Sequence, residues 1–130
     1  MTEVGFQKLN AEEIEKSLSQ GFVCLAGNIE RPIELEEIKT EDVEISLYKK
    51  QPQQGKAHYH VKQTEYVYML EGKTEFLEIK TGVIHVFGRG DFFCISPMTQ
   101  YREIILEPVK IIVIKIPAKN DKIVLEEKND

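Results

Sequence analysis

Residues 55–72 read GKAHYHVKQTEYVYMLEG, and the two histidines and the glutamate of this stretch determine the predicted fold. His58 and His60 are two residues apart, and side chains alternate between the faces of a β-strand, so both imidazoles are expected on one face. Glu65 follows residues 62–64, where a tight turn would fold the next strand back and bring the carboxylate beside the rings. Two histidines and one carboxylate arranged in this way form a facial metal site.

We therefore predict that His58, His60 and Glu65 bind one divalent metal ion. Mixed imidazole and carboxylate ligation suits Fe, Mn, Ni, Co or Zn, and the sequence does not choose among them. Three protein ligands leave coordination positions for water or substrate, which favours metal-assisted chemistry over a closed structural site. The alternative for an isolated H-x-H pair is two solvated or packing histidines, but Glu65 and Gly72 at these spacings favour the metal site.

HYH at 58–60, Glu65 and Gly72 resemble the first signature of the cupin superfamily. That signature is a glycine, then H-x-H, a glutamate four or five residues later, and a glycine after six more residues. The second cupin signature is similar to GDFFCISP at 90–97. The resemblance covers residues 42–117 and implies an RmlC-like β jelly roll, in which two antiparallel sheets form a double-stranded β-helix. One cupin domain is expected over residues 1–130, with a frayed tail at about 119–130.

The chain departs from the cupin pattern at two places. Gly55 lies three residues before His58, where the family usually has six. The family's third histidine is replaced by Tyr101 when counted from the Gly-Asp turn of the second signature, or by Arg102 when counted from its proline. Neither residue is a histidine, so the resemblance leaves the fourth ligand open.

Tyr101 also leaves the reaction class open. A phenol has a pKa near ~10 and binds divalent metals poorly when neutral. Tyr101 therefore predicts either a three-ligand site or a catalytic acid or base beside the metal, and the alternative is a tyrosine that only packs at the barrel mouth. His85 is a packing histidine in an apolar strand or a replacement ligand. Arg102 and Lys50 could hold an anionic group, although charges at strand ends are usually solvated.

Short apolar runs separated by turn residues indicate an all-β antiparallel sandwich or small barrel. Strands are expected at 22–27, 32–38 and 42–50, and then repeatedly from residue 56 onward. Residues 109–116 are apolar at nearly every position, which predicts a central strand covered on both faces. One short N-terminal helix is predicted, with Asn10 as its N-cap and Ile14 and Leu18 on its apolar face. An edge strand is considered at residues 123–125.

Composition and charge exclude several classes of protein. The chain has 130 residues, of which 42% are hydrophobic, so it can bury one core and is too short for two ordinary domains. Its net charge of −5 argues against a nucleic-acid partner, and no apolar segment predicts secretion or a membrane partner, so a cytoplasmic protein is expected. Cys24 and Cys94 are interpreted as reduced packing cysteines.

Two functions are compatible with these features. The first is a small metal-dependent enzyme, an isomerase, epimerase or dioxygenase, that acts on a small polar molecule. The second is a non-catalytic cupin that binds a ligand or acts as a scaffold, and fold analogy cannot separate the two. HYHVKQTEYVYMLEGK and VIKIPAKNDK are also similar to cupin domains appended to nucleotidyltransferases of surface-polysaccharide synthesis, which implies a sugar or sugar nucleotide. The leading strands before residue 42 predict a homodimer, because they must cover a sheet edge or exchange with a neighbour.

Overall fold

Turn residues divide the chain into one helix and twelve strands in a computed structural model that describes residues 5–30 and 33–125. The helix α1 spans Ala11–Leu18, and the Asn10 side chain accepts a hydrogen bond from the backbone N–H of Glu12, which confirms the predicted N-cap. The strands are β1 Phe22–Gly27, β2 Ile38–Lys39, β3 Glu44–Lys50, β4 Gln53–Gln54, β5 His58–His60, β6 Thr64–Glu71, β7 Lys73–Glu78, β8 Ile84–Gly88, β9 Phe92–Ile95, β10 Tyr101–Ile105, β11 Val109–Ile116 and β12 Lys122–Val124.

These strands form two sheets. The first, called the β11 sheet, has the order β2-β1-β3-β11-β6-β9. The second, called the β10 sheet, has the order β12-β5-β10-β7-β8, and β4 also pairs with β10. Every pairing is antiparallel except that of β1 with β2. The predicted all-β architecture with two antiparallel sheets and one short N-terminal helix is confirmed.

The hydrophobic core lies between the inner faces of the two sheets. Val67 and Met69 of β6 are buried there, as their alternation with the outward tyrosines predicts. The other buried members of this cluster are Ile105, Val109, Ile111 and Val113, with Tyr48, Phe87 and Phe93 packed against them. No helix within the described ranges is long and apolar enough to cross a membrane.

Several predicted elements differ from the structure at the N-terminal side. A strand is expected over residues 32–38, but residues 33–37 form bends and irregular backbone. Pro32, the first residue of the expected strand, lies outside the described ranges. Strand pairing begins only at Ile38, and the residue before it, Glu37, is buried and paired with Lys39 at 2.6 Å instead of pointing outward. Ile33 and Leu35 line a cavity beside β1, so their apolar side chains are used without a strand.

Strands β3 and β11 show that the apolar face is not always the inner one. In β3 the side chain facing the core at mid-strand is Ser46, which is 1% exposed, whereas Ile45 and Leu47 point outward and are half-buried. In β11 burial alternates, and Ile112 and Ile114 on the outer face are only half-buried. The prediction that residues 109–116 are covered on both faces is therefore wrong for the outer face.

The tail differs from the frayed segment that was expected. Residues 122–124 pair with β5, with Lys122 opposite His60 and Val124 opposite His58. The backbone N–H of Leu125 donates to the carbonyl of Ala57 at 2.9 Å. The edge strand is thus present, and these hydrogen bonds hold the tail to the sheet as far as residue 125. Residues 126–130 lie outside the described ranges.

The glycine that ends β6 provides a test of the fold. Gly72 has a φ of 85°, and a Cβ placed there would lie 2.1 Å from the carbonyl oxygen of Pro108 and 2.9 Å from Cα of Val109. Because both atoms belong to the backbone, Gly72→Ala should lower the free energy of unfolding by more than about 2 kcal/mol, measured by urea denaturation.

Gly82→Ala is the matched control for this prediction. Gly82 has a similar φ of 73°, but a Cβ there would meet nothing within 4 Å. This substitution should therefore cost only the backbone strain of a left-handed residue, about 1 kcal/mol. Equal losses in the two variants would contradict the close approach at Gly72.

Candidate metal centre

The three predicted ligands come from two facing sheets. His58 and His60 lie on β5 in the β10 sheet, and Glu65 lies on β6 in the β11 sheet. The chain crosses between the sheets at residues 61–63, so β6 does not fold back as the hairpin partner of β5, and that expectation is wrong. The crossing keeps all three side chains on inner faces, and the carboxylate approaches the rings across the interior.

This arrangement brings the three ligands to one point. Nε2 of His60 lies 2.6 Å from Oε1 of Glu65, and ligand atoms of all three side chains lie within 4.8 Å of one another. The rings of His58 and His60 meet edge to face, with centroids 5.4 Å apart. His60 and Glu65 are buried and His58 is half-buried, so the group is open on the His58 side.

Tyr101 lies inside this group. It is directly opposite His58 in the pairing of β10 with β5, and its side chain is buried. The hydroxyl donates to Oε1 of Glu65 at 2.8 Å and lies 3.0 Å from Nε2 of His58. Burial, with the nearby charge of Glu65, raises the pKa of Tyr101 far above its ordinary value, so the phenol keeps its proton. A tyrosine turned out to the solvent is thereby excluded.

The protons of the group can be assigned from its hydrogen bonds. Nδ1 of His58 lies 3.0 Å from the carbonyl oxygen of Lys56, which can only accept, so Nδ1 carries the proton and Nε2 presents a lone pair. Tyr101 has a single hydroxyl proton, which it donates to Glu65, and it has none left for His58. The lone pair of His58 therefore points into the group without a proton to accept.

The charge states of the other donors also suit a cation. Burial lowers the pKa of His58, which favours the neutral ring that a metal requires. Burial alone would raise the pKa of Glu65, but the hydrogen bond from His60 and the charge of Lys115 outweigh it and lower the pKa to about 2. Glu65 is thus an anionic carboxylate at neutral pH. Two imidazoles and one carboxylate of this kind fit a divalent metal ion.

Asp121 is a member of the site that sequence reasoning missed. Its Oδ1 lies 3.3 Å from Nδ1 of His60, on the side of the ring away from Glu65. Asp121 was assigned to the fraying tail, and nothing in its local sequence indicates that the tail returns to β5. Only a prediction that paired β12 with β5 could have placed this carboxylate behind the ring.

A cavity of about 250 Å³ adjoins the group on the side of Tyr101. Tyr101 forms part of its wall, together with the three aromatic rings of Phe76, Phe87 and Phe93. The rings of Phe87 and Phe93 are stacked with centroids 3.7 Å apart, and the ring of Phe76 lies 5.4 Å from that of Tyr101. Four aromatic side chains, those of Phe76, Phe87, Phe93 and Tyr101, thus form part of the cavity wall.

The remaining candidates lie outside the ligand group. His85 lines the same cavity at a distance of 3.5 Å from Glu78, and it does not join the three clustered ligands. Lys50 is paired with Glu103 at 2.9 Å. Arg102 alternates with Tyr101 along β10 and so points away from the interior.

The two cysteines differ from each other. Cys24 is buried, as expected for a packing cysteine, and burial raises its pKa to about 11, which keeps the thiol protonated. Cys94 is exposed and lines the mouth of the aromatic cavity, so the packing interpretation is wrong for this residue.

Comparison with protein-family models and with curated proteins finds no match. Solved structures do match. An uncharacterized conserved protein with a double-stranded β-helix domain from Klebsiella pneumoniae is 16% identical, covers 97% of this chain and 100% of its own, and has a TM-score of 0.61. The DMSP lyase DddQ from Ruegeria pomeroyi is also 16% identical, with a TM-score of 0.65 over 95% of this chain and 58% of its own.

A third match is KdgF from Halomonas sp., which is 23% identical over 62% of this chain and 74% of its own, with a TM-score of 0.54. Other matches include an RmlC-like cupin from Shewanella frigidimarina, 22% identical over 63% of this chain and 72% of its own, with a TM-score of 0.54. At these identities the likeness concerns the fold alone. The chain has the double-stranded β-helix fold of the cupin superfamily, which the HYH signature predicts.

Proposed function

We propose that this protein is a divalent-metal-dependent enzyme that moves a proton on a small polar molecule. His58, His60 and Glu65 would hold the metal, and Tyr101 would act as the acid or base. The observation that carries this proposal is the position of Tyr101, whose hydroxyl contacts two of the three ligands and whose side chain forms part of the wall of the aromatic cavity. A substrate in that cavity would contact Tyr101, which in turn contacts the proposed ligands His58 and Glu65.

The chemistry is divided between the bound ion and the chain. A divalent metal at this site would polarise an oxygen atom of the substrate. Tyr101 holds its proton at Oη and donates it to Glu65. The positive charge of a bound divalent metal would favour release of this proton, and Tyr101 would then act as the acid. Tyr101 is buried, which shields this proton from bulk water. Proton transfer of this kind supports an isomerase or epimerase more directly than a dioxygenase.

The size of the cavity supports a small substrate. Its volume of about 250 Å³ lies below the ~300–1,000 Å³ of pockets that enclose drug-sized ligands. A molecule of monosaccharide size or smaller therefore fits better than a whole sugar nucleotide. One structural neighbour is a DMSP lyase, which supports small-molecule chemistry on this fold without identifying the substrate of this chain.

One observation favours the second candidate, a non-catalytic ligand-binding cupin. Glu65 receives hydrogen bonds from Tyr101 and His60 at the same oxygen, Oε1. His58 is held by Lys56, and His60 by Asp121. The polar side chains of the site are thus largely satisfied by one another, and a network of this kind can persist without metal.

We also propose that the protein is a homodimer. Two rows of apolar side chains cross the outer face of the β11 sheet, along the strand registers of β3, β11, β6 and β9. Tyr68 is 40% exposed and Phe92 62% exposed in these rows, which also contain Ile45, Leu47, Tyr66, Ile112 and Ile114. A contiguous apolar face of this kind is typical of a protein interface, and a second copy of the chain would cover it.

The dimer can be tested by light scattering at micromolar concentration. The wild-type protein should have twice the 15.0 kDa mass of the chain. Phe92→Glu, which places a charge in the proposed interface, should shift the mass toward the monomer. Val86→Glu is the control, because Val86 is 51% exposed on β8 of the other sheet and should leave the dimer intact. A wild-type particle of 15.0 kDa would contradict the proposal.

The metal site can be tested by elemental analysis of protein dialysed against divalent metal. The wild-type protein should retain one ion per chain, and the double variant His58→Ala/His60→Ala should retain none. His85→Ala is the matched control, because it removes the third histidine of the chain and leaves the cluster intact. Circular dichroism should show an intact fold in all variants, since the apolar core holds the barrel.

Two results would count against this assignment. Undiminished metal in the double variant would show that other residues bind the ion. Loss of the fold in that variant would indicate that the site is structural instead of catalytic.

Substitution of Tyr101 separates the enzyme from the binding module. Tyr101→Phe should keep the metal but lower turnover about 10²-fold or more, because it removes the acid or base and no ligand. Tyr101→His should tighten metal binding, since the wild-type hydroxyl already lies 3.0 Å from Nε2 of His58 and an imidazole there supplies a fourth ligand. Metal affinity is measured by calorimetric titration, and turnover by a screen of small sugars and hydroxy or keto acids. Unchanged affinity in Tyr101→His would rule out contact between this side chain and the ion.

A further inference from the structure

The tail strand β12 runs along the strand that carries both histidine ligands. It pairs antiparallel with β5, which lies between β12 and β10 in the sheet. Lys122 is opposite His60 in this register, so the residue before it, Asp121, is fixed at the level of the crossing between the sheets. The position of the Asp121 side chain thus depends on the same strand pairing that places the ligands.

The Asp121 carboxylate makes contacts with both sides of the crossing. Its Oδ1 lies 3.3 Å from Nδ1 of His60. Its Oδ2 accepts hydrogen bonds from the backbone N–H groups of Lys62 and of Gln63, the latter at 3.1 Å. These residues join His60 on one sheet to Glu65 on the other. One carboxylate therefore holds both the ring and the backbone that sets the spacing of two ligands.

A second hydrogen bond supports the crossing, and it also comes from the segment between β11 and β12. Gln63 is 1% exposed, and its Nε2 donates to the carbonyl oxygen of Pro117 at 2.8 Å. Residues 117–121 thus hold the crossing through Pro117 and Asp121. The segment between β11 and β12 therefore acts as a support for the metal centre, although it supplies no ligand.

We propose that Asp121 is a positioning residue, which orients His60 for metal binding and fixes the proton of the ring on Nδ1. The inference rests on the proposed metal site. The distances on the two sides of the ring carry it, since Nδ1 faces Asp121 and Nε2 lies 2.6 Å from Glu65. A carboxylate partner on the far nitrogen makes a histidine a more basic and better oriented ligand, and its loss typically costs about 10–100-fold in metal affinity.

The two histidines are supported differently. Nδ1 of His58 donates to the neutral carbonyl of Lys56, whereas Nδ1 of His60 faces a charged carboxylate. A hydrogen bond to an ionised acceptor is roughly twice as strong as one between neutral groups. His60 is accordingly the more firmly oriented ligand, and it is also the one in direct contact with Glu65.

Asp121→Asn is the informative substitution, because an amide has nearly the shape of the carboxylate. Its oxygen can still accept from the backbone at Lys62 and Gln63, so the crossing keeps its hydrogen bonds. Its NH₂ group would face Nδ1 of His60 and favour the tautomer with the proton on Nε2, the nitrogen that a metal needs. The variant therefore changes the protonation of the His60 ring and keeps the hydrogen bonds from the backbone of Lys62 and Gln63.

The control substitution is Asn120→Ala in the same segment. The Asn120 side chain accepts from the backbone N–H of Lys122 at 3.2 Å, so its removal weakens the tail without reaching His60. Affinity for Co²⁺ is measured by calorimetric titration, and the visible spectrum of the Co²⁺ protein reports its ligand geometry. Asp121→Asn should bind Co²⁺ about 10–100-fold more weakly with an altered spectrum, whereas Asn120→Ala should match the wild type in both.

The metal-free protein gives an independent readout. Nitrogen chemical shifts of the His60 ring, assigned by their absence in His60→Ala, should move in Asp121→Asn and stay in place in Asn120→Ala. Wild-type affinity in Asp121→Asn, or equal losses in Asp121→Asn and Asn120→Ala, would overturn the proposal. If the wild-type protein binds no Co²⁺, the proposed function fails, and unmoved His60 shifts in Asp121→Asn would then overturn the role of Asp121 separately.

Discussion

The contact between His60 and Glu65 is the constraint on which the rest of the site depends, because it joins the two sheets through buried polar groups. The atoms are 2.6 Å apart and both side chains are buried. A buried charge without a partner would cost several kcal/mol, so each of these groups must be matched by another. Tyr101 matches Glu65, and Asp121 matches His60. The network ends at backbone groups: His58 contacts the carbonyl of Lys56, and Asp121 accepts from the N–H groups of Lys62 and Gln63.

The sequence predicts the residues at the centre of this network, but it does not predict Asp121, which lies behind the His60 ring. Parity along two strands predicts that His58, His60 and Glu65 face one interior. The count from the Gly-Asp turn of the second signature leads to Tyr101, whereas the count from its proline leads to Arg102. These are local regularities, which the alternation of a strand preserves. Asp121 enters through the pairing of β12 with β5, 61 residues away from His60 in the chain. No local pattern encodes that pairing, since the tail is charged on every side of its short apolar run.

The same distinction explains the error in the predicted burial of residues 109–116. Alternation of apolar and polar residues along a strand defines two faces but does not say which one is inside, and in β3 the inner face contains Ser46. The choice is made by neighbouring strands, because β11 places Val113 beside Ser46 and Ile112 beside Leu47. Apolar residues on both faces of β11 were interpreted as burial on both faces. The structure instead leaves one of them as an outer apolar surface, and local sequence cannot tell a covered face from one that awaits a partner.

The protons of His60 connect the self-satisfied site with metal binding. Both neighbours of this ring are carboxylates, and ionised carboxylates can only accept hydrogen bonds, so both contacts are hydrogen bonds only when the ring carries two protons. A metal bound at Nε2 would take the place of the proton that faces Glu65. Glu65 is ionised, with a pKa of about 2, and burial lowers the pKa of His58, so both groups already favour the deprotonated form that a metal would require. In the proposed metal site, the proton between His60 and Glu65 would be lost, and the proton that faces Asp121 would be kept.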